Sequence, residues 1–169
     1  MSLSMYQASV PAVVLGLKNL AAILAKGEAY AADKKIDPSV FINARLAPDM
    51  FPLSRQIQIA TDVPRRGLAR LADMEAPSFA DTETTFTELQ ARIANTIAFI
   101  ETIKPAQIDG TEEKVVNLTV GGQEMTFKGQ PYLLGFILPN LHFHTTVAYG
   151  ILRHNGVDLG KKDFLGAVQ

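Results

Sequence analysis

In TETTFTELQARIANTIAFIETI, residues 82–103, the side chains Phe86, Leu89, Ile93, Ile97 and Ile100 recur at spacings of three and four. At 100° per residue they share one face, so the segment reads as an amphipathic helix whose apolar stripe must meet other helices. Working outward, Val13, Leu17, Leu20 and Leu24 mark a first long helix with the same period. Ser9 is its expected cap and Pro11 fits its first turn, although Tyr6 points to an earlier start. The series Leu53, Ile57, Ala60, Pro64, Leu68 and Leu71 marks a second, with Pro64 as an expected kink. A short connector helix is expected over Pro38–Asn43, because Asp37 can cap it and Pro38 suits a first helical position.

After Pro105 the character changes. In KVVNLTVGGQEMTFKG (residues 114–129), alternating residues flank Gly121-Gly122, the pattern of a β-hairpin. Pro139-Asn140 then punctuates an apolar run, and a fourth long helix is expected from Leu141 to Asn155. Gly156 suits the left-handed position that ends it. The expected fold is all-α, a four-helix bundle with a short hairpin between helices three and four, in a single domain of 169 residues.

Composition excludes several functions. Sixteen Lys and Arg against seventeen Asp and Glu give no basic block to follow a phosphate backbone, so nucleic acid is not an expected partner. The absence of cysteine removes disulfides, thiolate zinc sites and cysteine nucleophiles together. No apolar stretch is read as reaching the ~20 residues that span a bilayer, and the expected setting is the cytoplasm. GKKDFLG (residues 160–166) lacks a phosphate-loop frame, no serine sits in a Gly-x-Ser-x-Gly elbow, and Asp49 is read as a cap or first-turn acid.

All three histidines lie between Leu138 and Gly156. On one helix, His142 and His144 point to opposite sides, and His154 lies roughly 15 Å along the axis from His144. His144 shares the apolar side with Val147, Ala148 and Ile151. A chelating helix places ligands one turn apart, but the positions four residues either side of His144 hold Asn140 and Ala148, so no intrahelical metal site forms. His142, Thr146, Tyr149 and Arg153 form a polar stripe with three readings: a solvated face, a pocket in which Arg153 clamps an acid beside Tyr149 or His142, or a subunit interface. Gln56 lies on the apolar side of helix two with Leu53 and Ala60, and a buried amide there needs a partner such as His144 or a backbone carbonyl.

LPNLHFHTTVAYGILRHNGVDLGKKDFLG (138–166) and ARLAPDMFPLSRQIQIATD (44–62), with the order of helices and hairpin, resemble a domain-of-unknown-function family grouped with the DinB/YfiT-like metalloenzymes. That resemblance implies a DinB-like four-helix bundle, often a homodimer, holding a divalent metal such as zinc or nickel with three histidines. It places His144 at the last ligand position, Asn140 at the one before it and Gln56 on helix two, so two amides stand where imidazoles are expected. The leading expectation is therefore a protein without a bound metal cofactor that takes a small polar molecule in the bundle, or that acts as a homodimer. The alternatives are a metal- or thiol-cofactor-dependent transferase or isomerase using His144, with Arg153 and Tyr149 orienting an acidic substrate, and a structural homodimer.

Overall fold

The computed structural model describes residues 3–166. Four long helices carry the fold: α1 (Met5–Lys34), α3 (Leu53–Leu71), α4 (Phe86–Ile100) and α7 (Leu138–His154). The connections hold α2 (Pro38–Ile42), α5 (Pro105–Ile108), strands β1 (Val115–Val120) and β2 (Gln123–Lys128), α6 (Gly129–Tyr132) and a π-helical turn over Leu133–Ile137. A last short helix, α8 (Lys161–Leu165), folds back on α1. The fold is mainly helical with one small antiparallel hairpin between the third and fourth long helices, as the periodicity predicts.

The start of α4 shows why this segment is helical. Thr85 Oγ1 accepts from the Glu88 backbone N–H, while the Glu88 carboxylate accepts from the N–H groups of Thr84 and Thr85. Such a reciprocal cap is worth about 1 kcal/mol. Phe86, Leu89, Ile93 and Ile100 are then buried, each contributing roughly 1.5–3 kcal/mol of apolar transfer. They meet α1 and α3, and α3 in turn packs most extensively against α7.

α1 begins earlier than Ser9. Ser4 caps it through a reciprocal pair with Gln7, whereas Ser9 lies inside the helix and donates to the Tyr6 carbonyl. Pro11 is likewise internal. The helix runs 30 residues, and an 18-residue window reaches a mean hydropathy of 1.7, long and apolar enough to cross a membrane by length and composition. This corrects the reading that no stretch attains that length. Here the stripe Val13, Leu17, Leu20 and Leu24 is buried in the core.

Asp49 caps nothing. α3 starts at Leu53, with Pro52 in the cap position and no side-chain cap, and the Leu53 N–H donates to the Ala44 carbonyl instead. Pro64 lies within an uninterrupted 19-residue α3. The hairpin pairs Val115 with Lys128 through to Val120 with Gln123, and Gly121 and Gly122 both take positive φ, as a tight two-residue turn requires. It docks by Val116 and by Phe127, whose ring lies 5.6 Å from Tyr132 and 5.7 Å from Phe136.

α7 begins at Leu138, three residues before its expected start, with Pro139 in its first turn. It follows directly on the π-helical turn, in which the Leu138 N–H donates to the Leu133 carbonyl, five residues back. Gly156 ends the region with φ of 95°, in the left-handed position expected of it.

Candidate functional site

Gln56 lies one turn into α3, beside buried Leu53, Ile57 and Ala60, and is itself buried. His144 lies midway along α7 beside Thr145, Val147 and Ala148, and keeps 9% exposure. The close packing of α3 on α7 brings the two together, with His144 Nδ1 2.7 Å from Gln56 Oε1. The amide orientation follows from its other end, where Gln56 Nε2 donates to the Phe51 carbonyl at 3.0 Å. An oxygen therefore faces the ring, so Nδ1 carries the proton and donates. Nε2 keeps its lone pair and has no hydrogen-bond partner among the described residues.

Burial, followed by the positive charge of Arg55, holds the His144 imidazole below its ordinary value. Two residues that contact the pair carry rings that face solvent. Phe143 packs edge-on against His144 with centroids 5.1 Å apart and is 57% exposed. Phe51, whose carbonyl holds Gln56, is 56% exposed and lies near the Arg55 guanidinium. A neutral acceptor nitrogen beside an exposed ring can take a hydrogen bond from a hydroxyl, amine or protonated acid.

Asn140 sits one turn before His144, but its Nδ2 donates to the Phe136 carbonyl at 2.7 Å. The structure thus joins Gln56 to His144 and turns the Asn140 Nδ2 toward the π-helical turn that precedes α7. Among the described residues, no three His, Asp or Glu side chains converge as a metal-binding group.

The outward stripe is dispersed. His142 is exposed on the rim of a cleft of about 220 Å³ that Leu15 and Gly16 of α1 and Phe164 and Leu165 of α8 also line. Tyr149 donates to the Leu159 carbonyl at 3.4 Å and packs edge-on against Phe164, while Arg153 is exposed. The cleft that His142 lines includes neither Tyr149 nor Arg153.

A second polar constellation escaped the sequence reading. Arg92, buried on α4, donates to Thr61 Oγ1 (2.8 Å), Asp62 Oδ1 (2.6 Å), Glu83 Oε1 (2.7 Å) and the Ala80 carbonyl (3.2 Å). Gln58 bridges Glu83 to Arg55, which pairs with Asp81. Arg65 is wholly buried, its guanidinium carbon 3.9 Å from the Phe79 ring centroid. One of its nitrogens lies 2.8 Å from Asp62, yet none of the three is aligned for a hydrogen bond among the described residues. The available signal was Arg92 standing three residues after Leu89 on the apolar face.

Residues 5–165 match the family model for a domain of unknown function, DUF1993. Among solved structures, the chain is similar to the crystal structure of a DinB family member protein from Shewanella denitrificans. The two are 43% identical, the match covers 96% of this chain and 92% of that one, and the TM-score is 0.88. No curated protein matches the chain.

Proposed function

We propose, for a chain that belongs to the DUF1993 family and is similar to a DinB family member, that it is a ligand-binding protein in which a neutral imidazole–amide pair replaces the superfamily's metal centre. The observation that carries this reading is the 2.7 Å contact between His144 Nδ1 and Gln56 Oε1. Gln56 spends its oxygen on His144, and the amide nitrogens of Gln56 and Asn140 are both turned to backbone carbonyls. One imidazole with two neutral amides is a poor donor set for zinc or nickel, which favour imidazole and thiolate. The residues present therefore do not fit the metal that the resemblance implies.

What remains is a hydrogen-bond acceptor, Nε2, on a ring whose charged form is disfavoured. The ligand in this reading is a small polar molecule with an O–H or N–H group for Nε2 and an apolar body for Phe51 and Phe143. The same lone pair would act as general base in the transferase or isomerase alternative, which adds a reaction to the same binding event. A homodimer is the second reading, favoured by Leu15 and Leu165, each 49% exposed around the α1/α8 cleft. A cytoplasmic setting is consistent with both, since α1 spends its apolar stripe on the bundle core.

Elemental analysis of untagged protein dialysed against zinc and nickel tests the reading, comparing wild type with the double variant Gln56→His, Asn140→His. The wild type is expected to hold far less than an equivalent, and the double variant close to one. Stoichiometric metal in the wild type, lost on His144→Ala, overturns the proposal. Failure of the double variant to gain metal shows that positions 56, 140 and 144 do not converge.

A further inference from the structure

Ten residues beyond Gln56, α3 presents arginines that the imidazole–amide pair does not use. We propose that the cleft between the C-terminal half of α3 and the segment from Met74 to Ser78 binds a small organic oxyanion, a carboxylic acid or a phosphate ester. Arg66, Arg70 and Ser78 grip its head group, and Ala69, Met74 and Pro77 cover its apolar body. This site is independent of His144.

The cleft encloses about 310 Å³ and no acidic side chain lines it. That space exceeds a bare inorganic anion and suits a small organic one. Arg66 and Arg70 stand four residues apart, hence on one helix face about 5–6 Å from each other at Cβ, where like charges repel unless an anion intervenes. Their internal compensation is thin. Arg66 reaches only Asp62, at 3.3 Å, and that carboxylate is already shared with Arg65 and Arg92. Arg70 has a neutral partner, the Tyr132 hydroxyl at 3.3 Å, and no carboxylate within ion-pair distance among the described residues.

Arg65 lies one turn before Ala69, which lines the cleft, and is wholly buried, with one nitrogen 2.8 Å from Asp62 and none aligned for a hydrogen bond among the described residues. A charge withdrawn from water is poorly screened, so it raises the positive potential on its side of α3. Arg65 and Arg66 thus share a single carboxylate with Arg92, and Arg70 has none within ion-pair distance among the described residues. The negative end of the α3 dipole offsets a fraction of the excess. On its other side Arg70 borders a neighbouring cleft lined by Asp73, Glu75 and Lys114, where Asp73 is paired with Lys114 at 2.6 Å. Paired guanidinium forks with a hydroxyl beside them are suited to carboxylate and phosphate geometry.

The test is a titration with phenyl phosphate, benzoate and inorganic phosphate at fixed ionic strength, followed by amide chemical shifts in wild type, Arg70→Gln, Ser78→Ala and Arg153→Gln. Arg70 and Ser78 are exposed, so these variants keep the fold. Saturable shifts are expected over residues 66–78 with an organic probe. Arg70→Gln should weaken binding about tenfold, the effect of removing one charge-assisted hydrogen bond. Arg153→Gln, on another face, should leave it unchanged. Tighter binding of phenyl phosphate identifies a phosphate ester as the head group, and tighter binding of benzoate a carboxylic acid. The proposal is overturned if no probe gives saturable shifts, if Arg70→Gln binds as wild type does, if Arg153→Gln loses as much, or if the shifts gather at His144 instead.

Discussion

At His144 the two ring nitrogens are chemically distinct, because Gln56 presents an oxygen to one of them and nothing in the described structure engages the other. Long-range ¹⁵N–¹H correlation should therefore find the Nδ1–H tautomer, and Gln56→Leu should abolish that preference. The same environment makes stability depend on pH. Burial, then Arg55, lowers the folded-state pKa below the ordinary 6.5, so the unfolded chain takes up the proton first as pH falls. The contribution of His144 is fully present above about 6.5 and is lost as pH falls through the lower folded value. Thermal melts at pH 7.5 and 5.5 should show a larger drop for wild type than for His144→Gln. Equal drops in wild type and His144→Gln would remove the residue from the pH response. This pair was legible beforehand because an amide and an imidazole on apolar helix faces must find partners, and few polar groups lie within reach.

At the scale of elements, the helices α1, α3, α4 and α7 were legible because each commits an apolar stripe at helical spacing. The hairpin was legible because a Gly-Gly turn joins two β-rich runs. The π-helical turn before α7 was not, since Pro139 reads as punctuation in a sequence, while in the structure it lies within a continuous helical path just after the five-back hydrogen bond of Leu138. Arg92 and Arg65 were missed for another reason. Burying a guanidinium depends on Asp62, Asp81 and Glu83 arriving from α3 and from a loop, which no local pattern reports. The junction of β2 with α6 is similarly non-local. A Cβ on buried Gly129 would fall inside the envelope of the Thr111 carbonyl oxygen, which is backbone and cannot rotate away. Gly129→Ala should cost about 2 kcal/mol or more in urea denaturation, within the usual range for overpacking. Gly135→Ala, with open space around it, should not destabilise. A neutral Gly129→Ala would mean that the hairpin is not anchored at this junction.

For the whole molecule, the guanidinium network ties the loop at residues 80–83 to α3 and α4 through one buried side chain. Arg92→Met should lower the free energy of unfolding by about 3–5 kcal/mol, because Glu83 is left without its counter-charge and Thr61, the Ala80 carbonyl and Asp62 each lose a charge-assisted partner. Arg92→Lys should recover only part of it, since a point charge cannot reach Thr61, Asp62 and Glu83 together. A loss under about 1 kcal/mol would place the network among ordinary surface pairs. The turn over Leu133–Ile137 bears on the molecule differently, as a matter of chain length and descent. A five-back hydrogen bond stores one surplus residue in an otherwise continuous helical path, and one residue is about 100° of rotation. The direction in which the hairpin leaves the bundle is thus set by a count of residues. A homologous chain one residue shorter at Gly135 could keep all four long helices and the His144–Gln56 contact while aiming its hairpin elsewhere. An alignment gap at that position would then record a change of shape in a region where the core sequence had not changed.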